Sequence, residues 1–253
     1  MIELIRNCSH GSEISTYLAA GGAGEKRIFK TASTPCGIEN LNREIEGWGW
    51  YQEAIGSSAG HPLCRIAAQG KGYLKIEIKF IEGRKADYRC GLEKNVDIIR
   101  KAVSHYCETW PRSSSAGFPL HGDLSIDNII VNAGKVTIID WEHFSRDGAP
   151  WAYDALHLLF ETLWFGMRRR GGRITPQEVD IIAENIDRLN ADNRSDPGLT
   201  KFPLRFTRGF IDGNAERWGN QISVFPCKFP VCDFTAAEIS EIDGKVSEAL
   251  KRI

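Results

Sequence analysis

The chain has 253 residues, of which 42% are hydrophobic and 26% charged, so it is long enough to bury a large core in one domain or two lobes. Its formal net charge of −1 provides no overall attraction to nucleic acid, so we expect a small or locally charged partner instead. The seven cysteines are scattered and include no C-x-x-C pair, which argues against a disulfide framework or a structural zinc site and fits reduced thiols.

The N-terminal segment lacks the basic region and long apolar stretch of a secretory signal, so we expect a cytoplasmic protein. The richest apolar stretch, residues 151–167, contains Asp154, His157 and Glu161. A membrane span would have to bury all three, so the stretch predicts a buried helix and no membrane span.

The first predicted elements are two strands joined by a glycine-rich turn. Residues 14–19 and 26–31 have the character of extended segments, and G-G-A-G at 21–24 has the flexibility that a hairpin connection needs. A Walker phosphate loop would continue as Gly-Lys-Ser/Thr into a helix, whereas here G-E-K-R continues into a strand. The glycines therefore indicate a turn between strands.

A helix and a further strand come next. Between residues 38 and 55 the side chains of one stripe recur every three or four positions, which predicts a helix. The stripe consists of Ile38, Leu41, Ile45, Trp48, Gln52 and Ile55. Residues 71–82 then alternate between apolar and polar side chains, which predicts a strand that ends at Glu82 and Gly83.

The chain changes character after Gly83. A long amphipathic helix is predicted from Leu92 to Trp110, and most later segments are also helical. Thr175 and Thr235 each begin a capping box, the pattern in which side chains satisfy unpaired backbone N–H groups at a helix start. The sequence therefore predicts an N-terminal lobe of residues 1–83 and a C-terminal lobe of residues 84–253.

The segment 121–140 carries the residues best suited to chemistry. It has H-G-D-L-S-I-D-N at 121–128, an apolar run, a turn at 132–135 and a strand that ends at Asp140. Asp123, Asn128 and Asp140 can therefore place three oxygen donors around one point. Mg²⁺ bound to a nucleoside triphosphate needs few protein oxygens, because phosphates and water complete its shell. The pattern indicates a site for a magnesium nucleotide.

H-G-D-L-S-I-D-N followed by I-I-D-W-E resembles the H-G-D-x-x-x-x-N and I-D-W/F-E motifs of the aminoglycoside phosphotransferase and choline kinase family, which is related in fold to protein kinases. The resemblance extends from about residue 10 to residue 165. It implies an α+β, bilobal protein-kinase-like fold, with a small antiparallel-sheet N-lobe carrying one helix and a larger, mostly helical C-lobe. The implied activity is transfer of phosphate from ATP, with Mg²⁺, to a hydroxyl of a small molecule.

The resemblance also implies roles for the residues of the motifs. Asp123 would be the catalytic base or orienter, which accepts the proton of the substrate hydroxyl as that hydroxyl attacks the γ-phosphate. Asn128 and Asp140 would hold the magnesium ion. His121 would shape the loop.

Three residues after Asp140 are candidates for a role in the site. Asp154 would support the catalytic loop, by the same resemblance. We interpret His157 as a core histidine in preference to a catalytic one. For Glu142 two interpretations stay open: it supports the water shell of the metal, or it has no role in the site.

Phosphate charge also needs a cation on a strand of the first lobe and a carboxylate on the helix to hold that cation. Lys30, at the end of the second apolar strand, is the candidate cation, with Lys26 and Arg27 as rivals. At 3.6 residues per turn, Glu44 falls on the edge of the helix stripe whereas Glu46 points away. We therefore expect Glu44 to be the partner of Lys30.

Two more segments are candidates for nucleotide contacts. S-H-G-S at 9–12, which ends at Ser12, is the candidate for a turn that covers the phosphates, because backbone N–H groups there can meet phosphate oxygens. F-I-E-G at 80–83, which includes Glu82, would be the hinge whose backbone meets adenine.

The acceptor is the part of the reaction that the sequence specifies least. Ser125 stands where protein kinases commonly carry a lysine, which favours a small-molecule acceptor. We rank a sugar or glycan precursor first, choline or ethanolamine second and an aminoglycoside third. A rival of another class, a nucleotide-binding pseudokinase or regulatory module, would keep the fold without turnover.

Two clusters in the second half could contact an acceptor. The basic segment 168–173 suits an anionic acceptor, although a solvated loop is the commoner role for such a segment. Trp141, Trp151 and Trp164 could cage a quaternary ammonium group, although tryptophans at this density more often form a core.

Overall fold

The computed structural model describes residues 2–6, 13–20, 25–57, 62–111, 117–191, 197–213 and 233–253. Within these ranges, no helix combines the length and the apolar character that a membrane crossing requires. The apolar stretch after residue 150 forms a buried helix, as its interrupting polar residues predicted.

The first part of the chain forms a five-stranded antiparallel sheet in the order β1-β2-β3-β5-β4. Its strands are β1 (Ile2–Arg6), β2 (Ile14–Ala20), β3 (Lys26–Ala32), β4 (Cys64–Gly70) and β5 (Tyr73–Lys79). The predicted hairpin is β2-β3, and its connecting glycines at 21–24 lie outside the described residues. Because β3 is the middle strand, Lys30 lies between Thr16 on β2 and Ile76 on β5.

Helix α1 (Pro35–Ala54) packs against this sheet. It begins at Thr34, whose side chain accepts a hydrogen bond from the Gly37 N–H, and Pro35 occupies the first turn, where its missing N–H costs nothing. The predicted stripe is wrong at its end, because Ile55 lies beyond the helix and is 38% exposed. The buried face also includes Glu44, which therefore lies within that face and not at its edge.

Gly47 on α1 shows how closely the helix approaches the rest of the protein. A Cβ atom at Gly47 would lie 2.6 Å from the Cβ of Trp141 and 2.9 Å from that of Phe144. Gly49, two residues later, has no neighbouring atom within 4 Å of the same position.

We expect these two glycines to respond in opposite ways to alanine. Gly47→Ala should lower the free energy of unfolding by about 1–3 kcal/mol, because Trp141 is fully buried and cannot yield. Gly49→Ala should raise it by up to about 1 kcal/mol, since alanine has the better helix propensity. Urea denaturation of both variants tests this; a Gly47→Ala protein as stable as the Gly49→Ala protein would contradict the packing.

The rest of the chain is mostly helical. Its helices are α2 (Gly91–Thr109), α3 (Tyr153–Arg169), α4 (Pro176–Asn190), α5 (Pro197–Lys201), α6 (Pro203–Gly213) and α7 (Ala236–Leu250). The capping boxes predicted at Thr175 and Thr235 are both present. Helices α2, α3 and α4 pack on one another and bury a shared core.

Short strands complete this part of the fold. They are β6 (Arg84–Lys85), β7 (Phe118–Leu120), β8 (Ile129–Asn132), β9 (Lys135–Ile138) and β10 (Ser145–Ala149), arranged as the sheets β6-β8-β9 and β7-β10. The α+β class, with an antiparallel sheet first and helices afterwards, is confirmed. The division into lobes at residue 83 stays a prediction.

Candidate active site

Residues 121–138 form the loop and the hairpin that the sequence predicted, and the catalytic role of the loop stays a prediction. β8 and β9 pair from Ile129 opposite Ile138 to Asn132 opposite Lys135. The Asn128 carbonyl accepts the Ile139 N–H at 2.9 Å, which joins the end of the loop to the strand that leads into Asp140. The Asn128 amide in turn donates to the Asp123 carbonyl at 2.9 Å and lies 3.5 Å from the Asp123 Oδ2. Asn128 thus ties Asp123 to the Asp140 strand, through its side-chain amide on one side and its backbone carbonyl on the other.

Asp140 itself has a φ of 69°, in the left-handed region that few residues other than glycine adopt. Aspartate is one of the side chains that tolerate this conformation. Unusual backbone held in place by its surroundings occurs most often at functional sites. Here the turn follows β9 directly and presents the Asp140 carboxylate to β3.

Lys30, Glu44 and Asp140 meet at this point. The Lys30 ammonium donates to the carboxylates of both Glu44 and Asp140, so the structure brings together a strand, a helix and the hairpin. Lys30 and Glu44 are buried, and the Asp140 side chain is 26% exposed. Burial acts to lower the pKa of Lys30, but Asp140 and Glu44 outweigh it and hold that pKa above its ordinary value.

The same surroundings also shift the pKa of Glu44. Burial raises the pKa of Glu44 to about 7, while the Lys30 charge acts to lower it. Its second oxygen accepts a hydrogen bond from the Trp48 ring N–H at 3.3 Å. Lys30 is therefore needed to keep this buried carboxylate ionised near neutral pH.

A third carboxylate, Glu142, joins the cluster. One ligand atom each from Glu44, Asp140 and Glu142 lie within 4.8 Å of one another, and such oxygens are the ligands that Mg²⁺ prefers. Burial and Asp140 act to raise the pKa of Glu142, but a hydrogen bond with His143 and the Lys30 charge outweigh them, so this pKa is lowered. The donor set around Asp140 suits a divalent cation, and Glu142 is beside it.

Buried polar contacts fix the loop that carries Asp123. The Asp154 carboxylate, on α3, accepts the backbone N–H groups of His121 at 2.8 Å and Gly122 at 3.1 Å. The His121 ring lies 3.0 Å from the Ile139 carbonyl through its Nε2. Burial raises the pKa of Asp154 to about 7 and lowers that of His121 to about 4. These contacts connect the loop to α3 and to the Asp140 strand.

His157, one turn after Asp154, is also buried, and its Nδ1 lies 3.5 Å from the Leu124 carbonyl. Burial lowers its pKa from 6.5 to about 4, so the folded protein holds it neutral. It packs beneath the loop, as expected for a core histidine.

We expect the stability that His157 contributes to depend on pH. The unfolded chain protonates this histidine near pH 6.5 and the folded one near pH 4, so its contribution is lost as the pH falls through that interval. The stability advantage of wild type over His157→Gln should therefore shrink from pH 7 to pH 4. Urea denaturation of both proteins at each pH measures this advantage. Because both proteins contain Asp154 and Glu44, the titration of those two groups cancels in the difference. A pH-independent difference would refute a neutral buried His157.

The cleft beside Lys30 has a volume of about 610 Å³. Its lining includes Lys30, Glu44 and Asp140 as well as residues 80–83, with Glu82. The predicted hinge thus faces the same space as the predicted phosphate and metal residues. Ser12 and the rest of the segment 9–12 lie outside the described residues.

Glu161 is a residue of this region to which the sequence assigned no role. It lies on α3, and burial raises its pKa well above its ordinary value, with the charges of Asp123 and Asp127 acting in the same direction. Three carboxylates therefore converge on this side of the loop. The helical spacing of Asp154, His157 and Glu161 was the available signal, since residues three and four apart share a helix face.

Four residues of the two other candidate clusters have structural contacts. Arg168 donates to Glu238 at 2.7 Å, and Arg170 donates to the buried Glu178 at 2.5 Å. Trp141 and Trp151 are buried and donate their ring N–H groups to the carbonyls of Ile138 and Leu189. Both tryptophans therefore belong to the core, and neither offers an open face to a quaternary ammonium group.

The sequence profile of the phosphotransferase enzyme family (APH) matches residues 56–181, about half of the chain, including the segment 121–140. The chain belongs to this family. Membership confirms the predicted enzyme class, a phosphotransferase with an alcohol group as acceptor. No curated protein sequence matches the chain.

Two solved structures are similar to this chain. An amicoumacin kinase in complex with AMP-PNP, Ca²⁺ and Ami is 11% identical, with a TM-score of 0.51 over 99% of this chain and 88% of that one. A spectinomycin phosphotransferase in complex with ADP and spectinomycin is 12% identical, with a TM-score of 0.39 over 98% of this chain and 93% of that one. At 11% identity the first likeness shows the fold alone.

Proposed function

We propose that the protein transfers the γ-phosphate of ATP, with Mg²⁺, to a hydroxyl group of a small molecule. The observation that carries this proposal is the contact of Lys30 with both Glu44 and Asp140, beside a cleft and next to the Asp123–Asn128 pair. Phosphoryl transfer requires little covalent chemistry from the protein, so positioned charges of this kind account for most of its catalysis.

Each residue has a distinct task in the proposed reaction. Lys30, fixed by Glu44, would bind the phosphate oxygens of ATP, and residues 80–83 would contact the adenine. Asp123 would orient the acceptor hydroxyl and take its proton while the oxygen attacks the γ-phosphorus and the bond to the bridging β–γ oxygen breaks. Asp140 and Asn128 would hold Mg²⁺, which offsets the phosphate charge when bound, and Glu142 would lie close to it.

The acceptor we propose first is a sugar or glycan precursor. Ser125 stands where protein kinases commonly carry a lysine, which favours a small molecule over a protein as the acceptor. One observation favours a second acceptor class that carries an amine, such as choline, ethanolamine or an aminoglycoside. Glu161 lies near Asp123 and Asp127, and a cationic group of the acceptor would be attracted to the charges of these two aspartates. The amicoumacin kinase of similar fold was solved in complex with AMP-PNP and Ami, which supports a small-molecule acceptor of either class.

Magnesium-dependent ATP consumption across panels of sugars, amino alcohols and aminoglycosides tests the function, with Asp123→Ala as the inactive control. Stimulation by one panel above the ATPase background identifies the acceptor class. If no acceptor stimulates turnover while ATP still binds, the alternative of a nucleotide-binding pseudokinase or regulatory module replaces the enzyme.

The proposed metal role of Asp140 gives a separate prediction. Asp140→Ala should weaken binding of the magnesium nucleotide by at least about tenfold, because a charge-assisted contact of this kind contributes roughly 1.5–3 kcal/mol. Calorimetric titration with AMP-PNP in the presence and absence of Mg²⁺ measures it. Equal affinities of wild type and variant in magnesium would remove Asp140 from the metal site.

A further inference from the structure

A second cavity lies apart from the nucleotide cleft. It is a groove of about 730 Å³ between the end of α1, one face of α2, the β8-β9 turn and α4. None of the residues that line it also lines the cleft beside Lys30. Its volume falls in the range of sites for small molecules.

The groove is strongly basic although the chain as a whole carries a net charge of −1. Four cationic side chains line it, Arg100, Lys101, Lys135 and Arg188, against one carboxylate, Glu108. Lys101 comes from α2 and Lys135 from the β8-β9 turn, and neither forms an ion pair with any residue in the described ranges. Two uncompensated ammonium groups on different elements therefore face one space.

The two guanidinium groups are held in place and only partly neutralised. Arg100 donates to both oxygens of Glu184, at 3.0 and 2.7 Å, and Arg188 lies 3.6 Å from the same carboxylate. Arg188 also donates to the Arg100 carbonyl at 3.2 Å, which fixes it over α2. One carboxylate shared by two guanidinium groups leaves a positive charge in the wall of the groove.

Uncharged polar groups and a small apolar surface complete the lining. The hydroxyls of Ser57 and Thr137 form no side-chain hydrogen bond with another described residue, so they can donate to a ligand. Ile55, 38% exposed, and Val136 provide apolar contact. Ammonium and hydroxyl donors around a space with a small apolar wall match a phosphate group attached to a compact organic body.

We propose that this groove binds a small molecule that carries a phosphomonoester, at a site separate from the proposed catalytic centre. Lys101 and Lys135 contact the phosphate from opposite walls, Arg188 adds its positive field, and Ile55 with Val136 contacts the organic part. The turn that carries Lys135 belongs to the hairpin that ends near Asp140, so the groove and the catalytic centre share one structural element.

Calorimetric titration of the full chain with glycerol 3-phosphate, and with glycerol as the uncharged control, tests the site. We expect saturable one-to-one binding of the phosphate ester and none of glycerol. Lys101→Gln and Lys135→Gln should each raise the Kd about tenfold, the effect of losing one charge-assisted contact. Both lysines are exposed, so the variants should fold, which thermal unfolding checks.

Two control variants make the outcome specific. Lys94→Gln removes an exposed lysine of α2 that does not line the groove, and it should leave the Kd unchanged. Lys79→Gln removes an exposed lysine of the nucleotide cleft; a weaker affinity in this variant would place the ligand in the cleft and overturn the proposal. Absence of binding, or unchanged affinity in the Lys101 and Lys135 variants, would also overturn it. Tighter binding of single-stranded RNA through the same lysines would assign the groove to a polyanion instead.

Discussion

Asp123→Asn is expected to lower the turnover number by about 10²–10⁴-fold while the Kd for the magnesium nucleotide stays near that of wild type. Asparagine has the shape of aspartate but cannot take the proton of the acceptor hydroxyl at neutral pH. The backbone of the loop should persist, because the Asn128 amide donates to the Asp123 carbonyl and Asp154 holds the neighbouring N–H groups of His121 and Gly122. A lower turnover number with an unchanged nucleotide Kd would therefore show that Asp123 acts in the chemical step.

Asp127→Asn is the matched control, since it makes the same change four residues along the same loop. Asp127 is exposed and accepts the Ser125 hydroxyl at 2.6 Å. Its variant should keep most of the turnover number and change mainly the KM of an amine-bearing acceptor. Steady-state kinetics with the acceptor found in the panels, together with nucleotide titration, separates the two variants. Equal turnover numbers for Asp123→Asn and wild type would remove Asp123 from the proton transfer.

Lys30→Met is expected to lower the free energy of unfolding by about 3–5 kcal/mol and to weaken nucleotide binding as well. Methionine retains the length of the side chain but leaves the buried Glu44 carboxylate without its cation, beside Asp140 and Glu142. The deficit should grow as the pH rises from 5 to 8. Lys30 lowers the pKa of Glu44, so its loss raises that pKa further above the value in the unfolded chain. A carboxyl whose pKa is raised by folding destabilises the folded state as the pH rises towards that pKa, because folding then forces it to stay protonated or to bury a charge.

Lys26→Met is the matched control on the same strand, because Lys26 also lines the cleft but is exposed. It should change the free energy of unfolding by no more than about 0.5 kcal/mol. Adding Glu44→Gln to Lys30→Met should recover part of the lost stability, since the double variant no longer buries an unpaired charge. Urea denaturation at pH 5, 6.5 and 8 measures all four proteins. A Lys30→Met protein with the stability of Lys26→Met would show that the contact with Glu44 contributes nothing to folding.

Local patterns determined much of the fold before any contact was known. The Thr175 capping box, the β2-β3 hairpin and the β8-β9 hairpin each follow from residues close together in the chain, and each is present. The predicted buried face of α1 was less accurate, because a search for apolar periodicity does not detect a buried carboxylate or a glycine at a close contact. Glu44 and Gly47 both lie on the buried face for reasons outside the helix itself.

By itself, the sequence determined the β8-β9 hairpin and predicted a catalytic role for the loop before it, because Asp123, Asn128 and Asp140 lie within one short segment. Only the tertiary structure decided that Lys30 meets Asp140, 110 residues away, as well as Glu44. Glu161 comes near Asp123 and Asp127, and Lys101 and Lys135 line one groove, for the same reason. Such contacts depend on how sheet, hairpin and helices pack on one core, and no local spacing in the chain encodes that packing.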